Sequence, residues 1–279
     1  MTTTLRPTAP LQQGADGAKS RTYEVCVNSR PVGVVELSTD PRFGAAVGRV
    51  AGLRIDEADR RRGRATVAAL AAEEVLRGWG CGRVEISVPA EAAAARRMAA
   101  ALGYTERGRN MTKPLPAHPP ELPEGVTGRP MSESEFETWL AHTKEGYARS
   151  LAERGLSEEA ARATCDADHA TALADGVATP DTYLGVLVRD DRVVGTLWLA
   201  LRHPNPGQSG AYVFDVEIAE EYRGQGLGRA LLLLAERKAL AAGTERIGLN
   251  VFADNTPALR LYESLGYEPV SYHLYKQLL

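Results

Sequence analysis

The chain has 279 residues, 44% of them hydrophobic and 25% charged, with a formal net charge of −3, a composition that suits a globular chain of one large or two modest domains. No apolar run approaches the ~20 residues that span a bilayer, the first twenty residues hold no apolar signal core, and the basic residues are not gathered into the face that nucleic acid requires. The expectation is a cytoplasmic protein without membrane or nucleic-acid partners; Cys26, Cys81 and Cys165 are too scattered for metal-ligand spacing, so no metal is expected.

In chain order, residues 1–21 are polar and read as a mostly flexible lead. "TYEVCVNSRPVGVVEL" (22–37) follows, and "ADRRRGRATVAAL" (58–70) sets an arginine cluster at the mouth of a helix. Next come "RVEISV" (83–88) and "LGY" (102–104). "PLPAHPPELPEG" (114–125) has five prolines in twelve residues; proline lacks a backbone donor and fixes φ, so this is a semi-rigid linker and a domain boundary.

Beyond the linker, two helices are predicted, at about 132–154 and 157–174. "TYLGVLVRD" and "RVVGTLWLALRH" read as strands joined at Asp190-Asp191, and "AYVFDVEI" (211–218) as a third. A helix runs from Gly226 to about Ala242 with Leu227, Ala230, Leu231, Leu234 and Ala241 on one face, stopped by Gly243. The strand "RIGLNVF", the helix "TPALRLYESLG" with Pro257 near its start, and a last strand around "SYHLYKQL" complete the chain.

Setting the second half on the first at a shift of 163 (223 − 60) aligns Arg60, Gly63 and Ala65 with Arg223, Gly226 and Gly228. It also aligns "RVEISV" with "RIGLNV", both "LGY" motifs, and Lys113 with Lys276. Two copies of one α/β unit are expected, 22–113 and 125–279, joined by the linker 114–124. The first copy has no room for the two helices at 132–174.

The stretch "RGQGLGR" (223–229) after a strand and before a helix suits a phosphate. Glycines let the backbone approach a ligand and adopt unusual φ values, and a helix N-terminus offers unpaired N–H groups and a positive dipole end. A Walker loop would need Lys-Ser/Thr where Arg229-Ala230 stands, and the dinucleotide pattern fails at Arg229. Alone, the loop is also consistent with a plain strand–helix turn. On strand 211–218, alternation puts Asp215 and Glu217 on one face unless a bulge intervenes, and carboxylates on a central strand require a reason. Either is a candidate base, with structural bonding to backbone as the alternative; Tyr212 is a further candidate to face an acceptor. His169 and Cys165 read as structural or exposed.

Arg223-x-x-Gly226-x-Gly228 after "VFDVEI", together with "LNVFADNTPALRLYESLGY" (249–267), resembles the acetyl-CoA signature and the second conserved block of the GNAT superfamily of N-acetyltransferases. The resemblance spans nearly all of 124–279 and, more loosely, 22–115. It implies an α/β mixed-sheet fold in two tandem GNAT copies, the N-terminal one truncated and degenerate, the C-terminal one catalytic, in a layout similar to mycothiol synthase; too little matches to carry over that substrate. The resemblance further implies acetyl-CoA as co-substrate in a cleft between the fourth and fifth strands. Its pantetheine arm would lie along Val216, Glu217 and Ile218, its pyrophosphate on Gly224, Gln225, Gly226, Leu227, Gly228 and Arg229 beside Arg223. Asn250 and Asn255 match positions that touch the cofactor arm. Tyr262 matches the tyrosine that protonates the departing thiolate, with a packed aromatic as the structural alternative.

The first copy keeps the loop as Arg60, Arg61, Arg62, Gly63, Arg64 and Ala65, a candidate vestigial CoA site. Ala99, Ser87, Ala92, Gly52 and Arg54 stand where Tyr262, Asn250, Asn255, Asp215 and Glu217 stand in the second, so no catalysis is expected there. The function expected is acetyl transfer to a primary amine, of a small molecule in the first instance, because the second half is acidic, with 22 Asp/Glu against 15 Lys/Arg over 126–279. Alternatives are a protein amine acetyltransferase and a CoA-binding sensor or scaffold without turnover.

Overall fold

The computed structural model describes residues 2–14, 17–205 and 207–278. In chain order the first repeat comprises β1 (Thr3–Pro7), β2 (Gln12–Gln13), β3 (Lys19–Val27), β4 (Arg30–Asp40), β5 (Gly44–Ile55), α1 (Arg64–Gly78), β6 (Arg83–Pro89), α2 (Ala93–Ala101) and β7 (Thr105–Pro114). The second comprises β8 (Val126–Pro130), α3 (Glu133–Glu153), α4 (Glu158–Ala172), β9 (Thr182–Arg189), β10 (Arg192–Ala200), β11 (Ala211–Ile218), α5 (Leu227–Ala241), β12 (Arg246–Phe252), α6 (Thr256–Ser264) and β13 (Glu268–Gln277). The expected helices and strands of the second copy are present, within about three residues at their ends: the strand expected to run through His203 stops at Ala200, and the last strand begins at Glu268. The lead expected to be flexible is not so throughout: β1 pairs antiparallel with β3, Leu5 opposite Val25.

The chain divides into two compact units, residues 1–109 with 271–279, and 110–270. The units and the sequence repeats therefore do not coincide. In the first unit the strand order is β1-β3-β4-β5-β6-β13. Its last member is the final strand of the second repeat, antiparallel to β6 with Tyr272 opposite Val88. In the second unit the order is β7-β12-β11-β10-β9-β8, so the final strand of the first repeat, from Asn110, lies beside β12. Each repeat thus lends its last strand to the other repeat's sheet.

The exchange is sealed at matched positions. Lys276 on β13 places Nζ 2.7 Å from the carboxylate of Glu73, which is buried on α1. Lys113 on β7 places Nζ 2.8 Å from the carboxylate of Glu236, buried on α5. A buried carboxylate is tolerated when it is paired and hydrogen-bonded. Around these pairs, the core of the first unit gathers Val25, Val35, Leu76, Val84 and Leu274, and that of the second Leu197, Leu231, Leu234, Ile247 and Leu249. Each Leu, Ile or Val fully removed from water contributes roughly 1.5–3 kcal/mol, which is why the leucine stripe of α5 packs onto the sheet.

A separate hydrophobic cluster, Met131, Trp139, Leu173, Leu184, Val186 and Trp198, packs α3 and the end of α4 onto the second unit. Capping at Ser132, whose hydroxyl accepts from the Glu135 amide while the Glu135 carboxylate accepts from the Ser132 amide, starts α3. In the first unit, β1 leads through β2 to β3 with no helix between among the described residues. No helix of the described chain is long and apolar enough to cross a membrane.

Candidate active site

The site in the second unit begins where two parallel strands stop pairing. The register of β11 with β12 covers Ala211–Val213 against Ile247–Leu249, yet β11 continues to Ile218 and β12 to Phe252. Past Val213 the ladder opens, and Val216 to Ile218 line the opening. The first unit repeats this: β5 and β6 register over Val47–Arg49 and Arg83–Glu85, then part around a cavity of about 1020 Å³ lined by residues that include Val50, Arg54, Ile86, Val88 and Ala99.

The glycine loop leads from the opened strand into α5. Gly224 and Gly226 have φ of 76° and 78°, the left-handed region that favours glycine, and a Cβ added to either would meet open space. No side chain caps α5 at Gly226, so the first-turn N–H groups and the positive dipole end face outward. Arg223 braces the turn, its Nε donating to the Ile218 carbonyl at 3.0 Å. The Gln225 amide donates to the Glu221 carbonyl and accepts from Arg189. Leu227 is buried, so only its backbone is on offer. Gly228 abuts Leu261 of α6, and Arg229 donates to Ser264 Oγ at 2.7 Å.

The two carboxylates do share a face. Asp215 lies opposite Trp198 and Glu217 opposite Thr196, with the bulge falling just before them, at Phe214. The bulge keeps Tyr212, opposite Ala200, on that same face. Trp139 of α3 donates its indole N–H to Asp215 at 3.3 Å. Burial pushes the Asp215 pKa above the ordinary carboxylate range; the Trp139 hydrogen bond opposes this, and the Glu217 charge adds to it. Glu217 is more open, with His142 Nε2 at 3.2 Å and Arg223 Nη2 at 3.5 Å.

Tyr262 on α6 is 6% exposed. Burial, and then the charge of Asp215, push its phenol up to about 12. Asn255 caps α6, its Oδ1 accepting from the Ala258 amide, so its side chain holds the helix that carries Tyr262. Asn250 donates to Asn110 Oδ1 at 2.8 Å.

In the first unit, Gly63 and the uncapped start of α1 repeat the loop. Arg61 holds φ 59° where Gly224 stands in the second copy, a conformation that costs a non-glycine residue about 1 kcal/mol or more. The four arginines are not equivalent. Arg60 donates to the Ile55 carbonyl, as Arg223 does in its own unit, and Arg64 is buried against Asp59. Arg61 and Arg62 are left exposed.

His142, Trp139, Phe214 and Asn110 belong to the site and were not singled out from sequence. Trp139 and His142 stand three apart on α3, a spacing that shares one helix face. Asn110 had no such signal, because its strand belongs to the other repeat. Cys165 and His169 are buried on α4, His169 Nδ1 donating to the Cys165 carbonyl at 2.8 Å. Among the described residues no group of three or more His, Cys, Asp or Glu is placed to hold a metal ion.

Comparison with known proteins identifies the family and the fold. A family model described as the Acetyltransferase (GNAT) family matches residues 4–104 and again 154–267. The chain is similar to a mycothiol acetyltransferase of Thermomonospora curvata, 31% identical over 93% of this chain and 84% of the relative. It is also similar to an uncharacterized N-acetyltransferase, YycN, of Bacillus subtilis, 30% identical over 53% of this chain and 96% of the relative. A solved tandem GNAT protein from the clavulanic acid biosynthesis pathway shares the fold, with a TM-score of 0.50 at 20% identity, over 96% of this chain and 85% of that one. The chain belongs to the GNAT acetyltransferase family, as an acyltransferase enzyme built from two tandem copies of that fold.

Proposed function

We propose that the second repeat transfers acetyl from acetyl-CoA to the primary amine of a small molecule by direct attack, and that the first repeat performs no transfer. The observation that carries this reading is the opened strand itself: Asp215 and Glu217 on one face of β11, which leads into the uncapped start of α5, with a tyrosine, Tyr262, buried on α6. The residues fit the co-substrate. The uncapped start of α5 offers N–H donors to a pyrophosphate, and the backbone of Val216–Ile218 beyond the β12 ladder suits an extended amide-bearing arm.

When bound, acetyl-CoA supplies an acyl group activated by a thiol leaving group. An alkyl ammonium has a pKa near ~10.4 and must lose a proton before attacking. Asp215 takes that proton, directly or through a water, and its raised pKa narrows the gap to the amine. Glu217 and His142 offer a second, more open route. Tyr262 keeps its proton through neutral pH and gives it to the departing sulfur, whose thiol has a pKa near ~8.5.

The first repeat holds CoA without chemistry on this reading. Its cavity is large and Arg61 and Arg62 stand at its loop, but Ala99, Gly52 and Arg54 replace the acid and both carboxylates. Acceptor-dependent thiol release from acetyl-CoA over a panel of amines tests the main claim. Tyr262→Phe should lower kcat by about 10² or more while leaving acetyl-CoA binding intact; undiminished turnover sinks the acid role. Calorimetry should count two CoA per chain, and a stoichiometry of one removes the first repeat as a binding site.

A further inference from the structure

One wall of the second unit's site is built from stacked rings. Trp198 of β10 stacks on Phe214 of β11 with ring centres 4.5 Å apart. Tyr212 meets Phe214 edge-on at 5.2 Å, and Trp139 of α3 meets Trp198 edge-on at 5.6 Å. Both tryptophans are buried, whereas Phe214 is 42% exposed. A large apolar ring left that open, braced by buried rings and adjacent in sequence to the most buried acid of the site, requires an explanation. It is the residue extruded by the β11 bulge, and bulges re-aim side chains beside active sites.

The charges on this face limit what rests there. Glu217 is shared with Arg223 and His142, while the side-chain hydrogen bond that Asp215 receives among the described residues comes from the neutral indole N–H of Trp139. The face therefore suits one ammonium, at Asp215. A second ammonium further along would approach Arg223. Hydroxyls laid on the ring wall would lose hydrogen bonds to water without replacement, whereas a flat apolar ring gains contact by offset or edge-on stacking.

Resting on the transferase reading above, we infer that the acceptor is a compound with one primary amine on a flat apolar body, its ring seated on Phe214 and its amine directed to Asp215. Phe214 then sets specificity through contact with the acceptor rather than through the chemistry.

The test measures kcat/KM in the full chain for phenethylamine and tryptamine against butylamine, spermidine, glucosamine and a lysine peptide. The aryl amines should lead butylamine by about tenfold or more. Phe214→Ala should raise KM for the aryl amines about tenfold and level that preference, while Phe214→Tyr preserves it. Spermidine, glucosamine or the peptide in the lead overturns the inference, as does a Phe214→Ala defect equal for every amine. Indole fluorescence, titrated with phenethylamine without acetyl-CoA, separates the two readings. Saturable quenching lost in Phe214→Ala, with no thiol release, would uphold the acceptor class and reject the transferase reading. Thiol release favouring a non-aryl amine would do the reverse.

Discussion

Asp215 illustrates how function and stability oppose each other at a single residue. A carboxyl whose pKa is raised by folding binds its proton more tightly in the native state than in the unfolded chain. Below the unfolded value, near ~3.9, the group is protonated in both states and costs nothing. As pH rises through the raised native pKa, folding forces a charge into a buried place and stability falls. Asp215→Asn should therefore melt higher than wild type at pH 7, with the gain vanishing near pH 3, and should lose most acetyl transfer. Equal melting temperatures at pH 7 would contradict the burial argument. Asp215, Glu217, Tyr262 and the glycines were legible in the sequence because they are chemically distinctive residues at fixed spacing along one or two elements. Trp139 and His142 were not, because what makes them part of the site is the packing of α3 over β11, which no local pattern encodes. Asn255 was legible by position, yet its side chain serves as a helix cap.

Among the elements, the helices and strands themselves were readable, since periodicity and turn residues act locally. What escaped was which sheet each terminal strand joins. An amphipathic strand satisfies its pattern against any edge of suitable chemistry, and β7 and β13 carry a lysine at the same repeat position, Lys113 and Lys276. The matched lysine–glutamate pairs are where that choice is fixed energetically. Lys276→Met should destabilise by about 3 kcal/mol, because it leaves Glu73 buried and unpaired. Glu73→Leu added to Lys276→Met should recover most of the loss, as judged by urea midpoints of the single and double variants. A single variant as stable as wild type would mean the pair does not hold β13. At α3, Ser132→Ala should cost about 1 kcal/mol, read from the same denaturation curves.

Across the whole molecule, the exchange means that the two repeats are not two separable proteins. A fragment of residues 1–113 lacks the strand that completes the sheet at β6, and 114–279 lacks the one beside β12. Produced alone, each should melt far below the full chain or not cooperatively; produced together, they should reassemble and recover the full-chain transition. A solitary 1–113 fragment that melts like the intact protein would show that β13 is dispensable. The proline-rich stretch 114–124 reads from sequence as a linker between repeats, but the compact units divide elsewhere, at 109/110 and 270/271. During synthesis, β6 emerges about 180 residues ahead of its partner Ser271–Gln277. At ~5–20 residues per second, the ribosome leaves that strand edge unpaired for roughly ten seconds or more, and unpaired edges invite pairing with other chains. The first unit, although encoded first, can close only after the second repeat has been made, so its nascent β6 is where chaperones would have most to protect.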